Sequence, residues 1–415
     1  MVREKENRMI NPLRGMKDLT FEESQRFTHI IDTATKIAQR YGYNYIETPI
    51  LEETALFKRS VGESSDIVGK EMYQFEDKGG NDVCMRPEGT AGVVRAFIST
   101  KLDRQPIKQK FYYYGPMFRY ERPQKGRLRE FHQFGCESFG EASVYEDFTV
   151  ITMISQIFTE LGIGFDLKIN SLGCKACMPL YRENLVGFLT GIKEELCSDC
   201  NRRIETNPIR ILDCKNGTCQ SHLVSSPKLI NNLCGECDSD FKKLTALLDN
   251  ACISYTVDTN LVRGLDYYGK TAFEFVSNEI GAQSAIAGGG RYDRLVEFLD
   301  GKPTPAVGFA IGIERIMELV QMPEIQREGI YMGAMTDEAI EVLFPLAAAK
   351  RKETKVTVEY NSKGFKSHMK GADKANARYA VLIGEDELKE STIWLKDLES
   401  KEEKTVLLSE FQDTN

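Results

Sequence analysis

The chain has 415 residues, 41% of them hydrophobic and 28% charged, with a formal net charge of −8. These values fit two or three globular domains with their own cores, and they argue against disorder and against a general nucleic-acid coat. No apolar run approaches the roughly 18 residues of a bilayer span, and the start Met1–Arg8 is charged where a signal peptide is apolar, so a cytoplasmic protein with no membrane partner is expected.

Apolar positions at Phe27, Ile30, Ile31, Ala34, Ile37, Ala38 and Tyr41 have helical spacing, and Gly42 is placed to end that helix. Tyr43 to Glu47 alternates like a strand up to Thr48-Pro49. Val83-Cys84-Met85 reads as a short strand, and Glu88-Gly89-Thr90 as the turn into a helix faced by Val93, Val94 and Phe97, which Thr90 can cap. The segment from Phe118 to Glu137 then gathers Arg119, Arg122, Lys125, Arg127 and Arg129 ahead of a strict alternation. Phe131, Gln133, Gly135 and Glu137 share one strand face, and His132, Phe134 and Cys136 the other. Pro123 and Gly126 make the whole a strand, a loop and a strand. A cationic loop beside a ring, an amide and a carboxylate suits a nucleoside triphosphate next to a small polar molecule. An exposed hairpin with solvated charges is the alternative.

Between residues 169 and 257 the pattern changes to four close cysteine pairs, Cys174/Cys177, Cys197/Cys200, Cys214/Cys219 and Cys234/Cys237, with turns at Asn207-Pro208 and Asn216-Gly217. In a cytosolic chain such pairs suit two four-cysteine structural zinc sites, the inner four as one and the outer four as the other; free buried thiols are the alternative. Strands return at Lys270–Val276 and Gln283–Ala287. A helix is expected from about Gly308 to Val320, and Pro323 begins a polar linker. Beyond it, strands at Ile330–Met332, Val356–Val358 and Tyr379–Gly384 alternate with helices at Glu338–Lys350 and Lys366–Asn376, which describes a small separate α/β domain. Lys366, Lys370, Lys374 and Arg378 read as a basic helix side, suited to phosphates or simply solvated.

Four further motifs stand in order with the basic segment: Arg86-Pro87-Glu88-Gly89-Thr90, Leu261-Val262-Arg263-Gly264-Leu265-Asp266-Tyr267-Tyr268, Gly288-Gly289-Gly290-Arg291-Tyr292-Asp293, and Gly308-Phe309-Ala310-Ile311-Gly312-Ile313-Glu314-Arg315. Along essentially the whole chain this set resembles the histidyl-tRNA synthetase family of class II aminoacyl-tRNA synthetases. The resemblance implies an α/β (α+β) fold: a class II antiparallel catalytic sheet flanked by helices, an inserted domain and a C-terminal anticodon-binding domain. The corresponding ranges are 1–168 and 258–325 for the core, 169–257 for the insertion and 329–415 for the last domain. It also implies a homodimer through the Phe21–Tyr41 helix and the strand after it, and a reaction in which L-histidine and ATP give histidyl-adenylate before the histidyl group passes to tRNA(His).

The roles the resemblance implies fall on named residues. Arg119 and Arg263 would flank the α-phosphate as catalytic cations; Arg119, Arg127, Phe131 and Arg315 would bind ATP, which brings Mg²⁺ held by phosphate oxygens and water. Glu88, Gly89, Thr90 and Gln133 would surround the α-amino end of histidine, and Glu137, Tyr267 and Tyr268 its ring. Gly308, Gly312 and Arg315 would share one helix face. Arg122 and Gln124 are candidates for the acceptor end of the tRNA. The rival is a non-catalytic, synthetase-like regulatory subunit of histidine biosynthesis, which should lack the last domain and erode Arg263, Tyr267 or Glu137; all are present. No open His-containing zinc set and no nucleophile elbow supports a hydrolase.

Overall fold

The computed structural model describes residues 10–62, 65–214, 216–265, 267–324 and 326–413; Asp266 and the charged start Met1–Arg8 lie outside the described residues. The chain divides into two units, residues 1–322 and 323–415.

In the first unit the strands are β1 (Asn44–Tyr45), β2 (Leu51–Glu53), β3 (Gln74–Glu76), β4 (Asp82–Met85), β5 (Gln109–Phe118), β6 (Glu130–Phe139), β7 (Asp166–Ser171), β8 (Thr256–Val257), β9 (Gly269–Val276), β10 (Ala285–Arg291) and β11 (Ala306–Gly312). Eight of them form one sheet in the order β1-β5-β6-β11-β10-β9-β7-β8, while β2-β4-β3 make a small second sheet. The interior pairings are antiparallel, and only the two edge pairs, β1 with β5 and β7 with β8, are parallel.

Alternation along β6 sorts its side chains as the sequence implies. Phe134 and Cys136 are buried against Ile30 and Ile37 of the helix Phe21–Arg40 and Val150 and Ile154 of the helix Val144–Glu160. Each such side chain taken fully out of water contributes on the order of 1.5–3 kcal/mol, so this layer fixes the sheet from behind. The opposite face is left for chemistry.

The segment expected to be helical from Gly308 to Val320 instead begins as the second part of β11, and the helix is confined to Ile313–Met317. The reason is a period of two. Val307, Phe309 and Ile311 enter the helix-side core, and Gly308, Ala310 and Gly312 alternate with them. Gly308, Gly312 and Arg315 therefore do not share a helix face. Gly308 lies opposite Glu137 of β6, where any Cβ would run into the Glu137 carboxylate and the Cys136 carbonyl.

The inserted segment is helical: Met178–Gly191, Ser198–Thr206, Gly217–Leu223 and Gly235–Asn250. The two expected turns are helix starts. Pro208 opens the 3₁₀ helix Pro208–Asp213, and Asn216 caps Gly217–Leu223, its side-chain oxygen accepting from Thr218 N at 2.9 Å. Tyr181, Leu185 and Leu189 form its small core together with buried cysteines.

In the second unit the strands are β12 (Ile330–Ala334), β13 (Val356–Val358), β14 (Tyr379–Ile383), β15 (Thr392–Asp397) and β16 (Glu403–Leu407), ordered β13-β12-β14-β15-β16. The first three are parallel, and β15 and β16 add antiparallel strands the sequence reading did not find. Helices Asp337–Lys350 and Phe365–Lys374 connect the parallel strands. Lys366, Lys370 and Lys374 are exposed at successive fourth positions of the second helix. Arg378 does not belong to that row: it lies past the helix end and pairs with Asp397 and Glu399. His368 is a core residue, its Nε2 2.9 Å from the Ala334 carbonyl oxygen. Among the described residues no helix is long and apolar enough to cross a membrane.

Candidate active site

The free face of β6, β10 and β11 forms the floor of a cavity of about 1140 Å³. Glu88, Thr90, Arg119, Arg127, Phe131 and Gln133 line it, together with Arg263, Tyr267, Tyr268, Glu274 and Arg315. Four guanidinium groups thus converge on one space in an acidic chain. Arg119 lies over the Phe131 ring with its Cζ 5.2 Å from the centroid, and its Nε donates to the Pro87 carbonyl at 2.9 Å. Arg263 lies over Tyr268 at 5.5 Å and pairs with Glu274 at 3.2 Å. Arg315 donates to the carbonyls of Gly126 and Ala285, at 3.2 and 2.5 Å. Burial, and then the charges of Arg119 and Arg127, push the Arg315 pKa down. Cations that repel one another around a cavity are an anion site in electrostatic terms.

Arg127 is engaged by Glu121 in this structure. Arg122 and Gln124 are exposed on the same loop, where Gln124 and Arg127 face each other in an isolated bridge and Gln124 reaches the cavity rim. The remaining motif arginines are structural. Arg86 is buried and donates to the carbonyls of Thr48 and Pro116, both at 2.9 Å, and Arg291 is buried on Asp147, at 2.6 Å, and on two carbonyls.

Glu88, not Thr90, caps the helix Thr90–Ser99: its carboxylate accepts from Thr90 N at 2.6 Å and Ala91 N at 2.9 Å. Thr90 Oγ1 instead donates to Glu137 at 2.7 Å. Glu137 itself is fully buried, directly behind the cavity residue Thr90. Three hydroxyls, those of Thr90, Tyr113 and Tyr292, point at its two oxygens. Burial is the largest influence and pushes its carboxyl up to about 8, with those hydroxyls pulling the other way. Gly89 is also buried outside the cavity, pressed against the Tyr113 ring where a Cβ would not fit. Burial likewise raises Glu88, and it raises Tyr268 to about 12.

Apart from Glu121 Oε2, which is paired with Arg127, three buried polar atoms of cavity residues, Gln133 Oε1, Arg263 Nε and the Tyr267 hydroxyl, have no hydrogen-bond partner among the described residues. Such atoms carry a desolvation cost of about 1–3 kcal/mol that a ligand can remove. Sequence reasoning passed over Tyr113, Tyr292, Glu274 and Glu314. Tyr292 stands in the motif Gly288–Asp293, whose glycines are its most legible feature. Glu314 also stood in a motif; it accepts from His132 N at 2.9 Å and lies 2.7 Å from the His132 ring. Tyr113 and Glu274 carried no signal beyond their place in alternating strands.

The paired cysteines converge as two groups, Cys174/Cys177/Cys234/Cys237 and Cys197/Cys200/Cys214/Cys219, the sulfurs of each lying within 4.8 Å of one another. All eight are free thiols. The separations Cys174–Cys177 and Cys174–Cys234, both 3.8 Å, and Cys197–Cys214, 4.0 Å, suit a tetrahedral cage, since Zn–S bonds of about 2.3 Å place sulfurs about 3.8 Å apart. The groups are built alike. Cys197 and Cys234 each precede a helix, and each donates its N–H, at 3.2 Å, to a sulfur of the facing pair.

Comparison with known proteins places these features in a family. The histidyl-tRNA synthetase description matches residues 15–173 and 225–316, and an anticodon-binding domain matches 330–414. The histidine–tRNA ligase of Sulfurovum sp. is 82% identical over 97% of this chain and 100% of its own length, and that of Sulfurimonas denitrificans is 65% identical over 96% and 99%. The crystal structure of apo S. aureus histidyl-tRNA synthetase is 33% identical, with a TM-score of 0.80 over 98% of this chain and 99% of that one. The chain belongs to the histidyl-tRNA synthetase family of class II aminoacyl-tRNA synthetases, and its activity is the charging of tRNA(His) with histidine.

Proposed function

We propose that histidine and ATP meet in the cavity in front of β6, β10 and β11, and that the residues around it divide the work. The observation that carries this reading is the convergence of Arg119, Arg127, Arg263 and Arg315 beside Phe131 and Gln133. Attack of the histidine carboxylate on the α-phosphorus forms the mixed anhydride as the bond to the β-phosphate breaks and pyrophosphate leaves; negative charge gathers on the way, so positioning and electrostatic stabilisation do most of the catalysis. Arg119 and Arg263 are placed to hold the α-phosphate and the attacking carboxylate between them, each guanidinium offering a planar fork to two oxygens. Phe131 would stack on the adenine with Arg315 against it, and Arg127 would leave Glu121 to meet the outer phosphates. ATP arrives with Mg²⁺ as part of the substrate.

Glu88, Thr90 and Gln133 would receive the α-ammonium group of histidine, Gln133 through its unpartnered oxygen. Tyr267 and Tyr268 would face the ring. Glu137 and Gly89 act one layer back: Gly89 admits Tyr113, and Glu137 holds the hydroxyls of Thr90, Tyr113 and Tyr292 in place. Arg122 and Gln124 are positioned on the loop for the acceptor end of tRNA(His), and Lys366, Lys370 and Lys374 for anticodon phosphates. We infer the domain ranges 1–168, 169–257, 258–325 and 329–415, a cytoplasmic location, and a homodimer. The apolar face of the helix Phe21–Arg40 is buried in its own chain, so the dimer surface rests on the strand after it and its neighbour β5, where Tyr45 and Tyr114 are exposed with ring centroids 5.6 Å apart. Both four-cysteine groups are proposed as structural zinc sites, which their thiolate-only ligand sets and spacing support.

Histidine-dependent pyrophosphate exchange on two variants tests the division of the cavity. Phe131→Ala should raise the KM for ATP about tenfold or more with little change for histidine, and Gln133→Ala the reverse. Equal effects on both substrates in both variants would overturn it.

A further inference from the structure

The Cys197/Cys200/Cys214/Cys219 group stands beside the catalytic cavity and not at the insertion's outer edge. Cys214 itself, with Leu212 and Gln220 from the same short stretch, lines the cavity. Gln220 ties that stretch together, its amide donating to the carbonyls of Leu212 at 3.0 Å and Cys214 at 2.6 Å. Two arginines then tie it to the core. Arg210 donates to the carbonyl of Gly264 at 2.6 Å, one residue from Arg263, and Arg203 pairs at 3.0 Å with Asp66, next to the cavity residue Ile67.

The segment bearing these contacts is built from short helices. Its helices span 9, 6 and 7 residues (Ser198–Thr206, Pro208–Asp213 and Gly217–Leu223), well below the roughly 12–15 residues at which helices become marginal alone. Cys200, Cys214 and Cys219 supply much of its buried core. A cross-link joining the helix Ser198–Thr206 to Cys214 and Cys219 would fix the wall between them. The second group lies elsewhere: Cys174 follows Gly173, whose carbonyl accepts from Lys270 N at 2.6 Å, so it ties the root of the insertion to the end of β9.

We propose that a zinc ion held by Cys197, Cys200, Cys214 and Cys219 sets the position of the cavity wall and of the Arg263-bearing segment, so that histidine activation depends on a metal that takes no part in its chemistry. This rests on the reading of the four-cysteine groups as zinc sites. Thiolates close all four coordination positions, which leaves the ion no open position for substrate. Its effect travels through Arg210 and Gly264, and Arg210 is accordingly a positioning residue.

The test uses the full chain purified from zinc-replete cells, with zinc per chain measured by mass spectrometry beside pyrophosphate-exchange kinetics. Wild type should hold two zinc ions. Cys200→Ser should hold one and lose about tenfold or more in kcat/KM for exchange, and Cys237→Ser should hold one with a smaller kinetic loss. Arg210→Ala should keep both ions and its melting temperature, yet lose about tenfold, the effect of one charge-assisted hydrogen bond. If Cys200→Ser does not fold, Arg210→Ala decides alone. Two zinc ions in wild type with unchanged kinetics in Arg210→Ala would overturn the coupling and leave the zinc sites standing. A fully active wild type with no bound metal would overturn both.

Discussion

The catalytic sheet and the inserted segment solve the same problem, holding side chains around one cavity, by different physics. In the sheet, position comes from register: Gly308 opposite Glu137, and Gly289 and Gly290 close against neighbouring carbonyls, leave no room for slippage. Long antiparallel strands backed by a large apolar layer make each site residue part of a cooperative unit. The insertion has short helices between two longer ones and a small core, and its sulfurs gather in two cages. Geometry that a large core gives by packing, a small one obtains from cross-links. The catalytic arginines accordingly lie on or beside the sheet, while the insertion contributes wall.

The comparison can be broken most sharply at the buried ion pair. Arg291→Ala leaves Asp147 buried and unpaired, and urea unfolding should lose about 3–5 kcal/mol. Amide exchange in the helix Met178–Gly191 should change less than in β10; equal change would mean that the two regions unfold as one. Gly308→Ala comes next, costing about 1–3 kcal/mol through overpacking on Glu137, together with a fall in exchange activity. A neutral result there would show that register is not what holds the floor. A third test concerns pH. Burial raises the folded pKa of Glu137 to about 8, so the stability it contributes is fully present below the ordinary carboxylate range and is lost as pH rises through about 8. Glu137→Gln, neutral throughout, should flatten stability between pH 5 and 8, and a slope equal to wild type would contradict the shift.

Much of this site is legible in the sequence because its motifs resemble those of a known family: that resemblance implies roles for Arg119, Arg263 and Gln133, and all three line the cavity. The alternation of β6 is legible from its period of two alone. What misled was Gly308–Gly312, where glycines hide a period of two and mimic a small-residue helix face. Thr90 looked like a cap because threonine often is one; the carboxylate of Glu88 takes that work and frees the hydroxyl for Glu137. Tyr113 and Glu274 leave no such signal, since what assigns them is a partner elsewhere in the fold: Glu137 of β6 for Tyr113, and Arg263 in the loop before β9 for Glu274. The grouping of inner and outer cysteines followed from spacing, but the contact of Arg210 with Gly264 spans 54 positions and left no local trace.

The most direct measurement is histidine-dependent exchange of labelled pyrophosphate into ATP by wild type and Arg263→Ala, with melting temperatures recorded for both. The account predicts exchange with histidine alone among the amino acids, and a loss of about 10²–10³-fold in the variant at unchanged melting temperature. Wild-type rates in a folded Arg263→Ala would contradict it and move the chemistry away from this cavity.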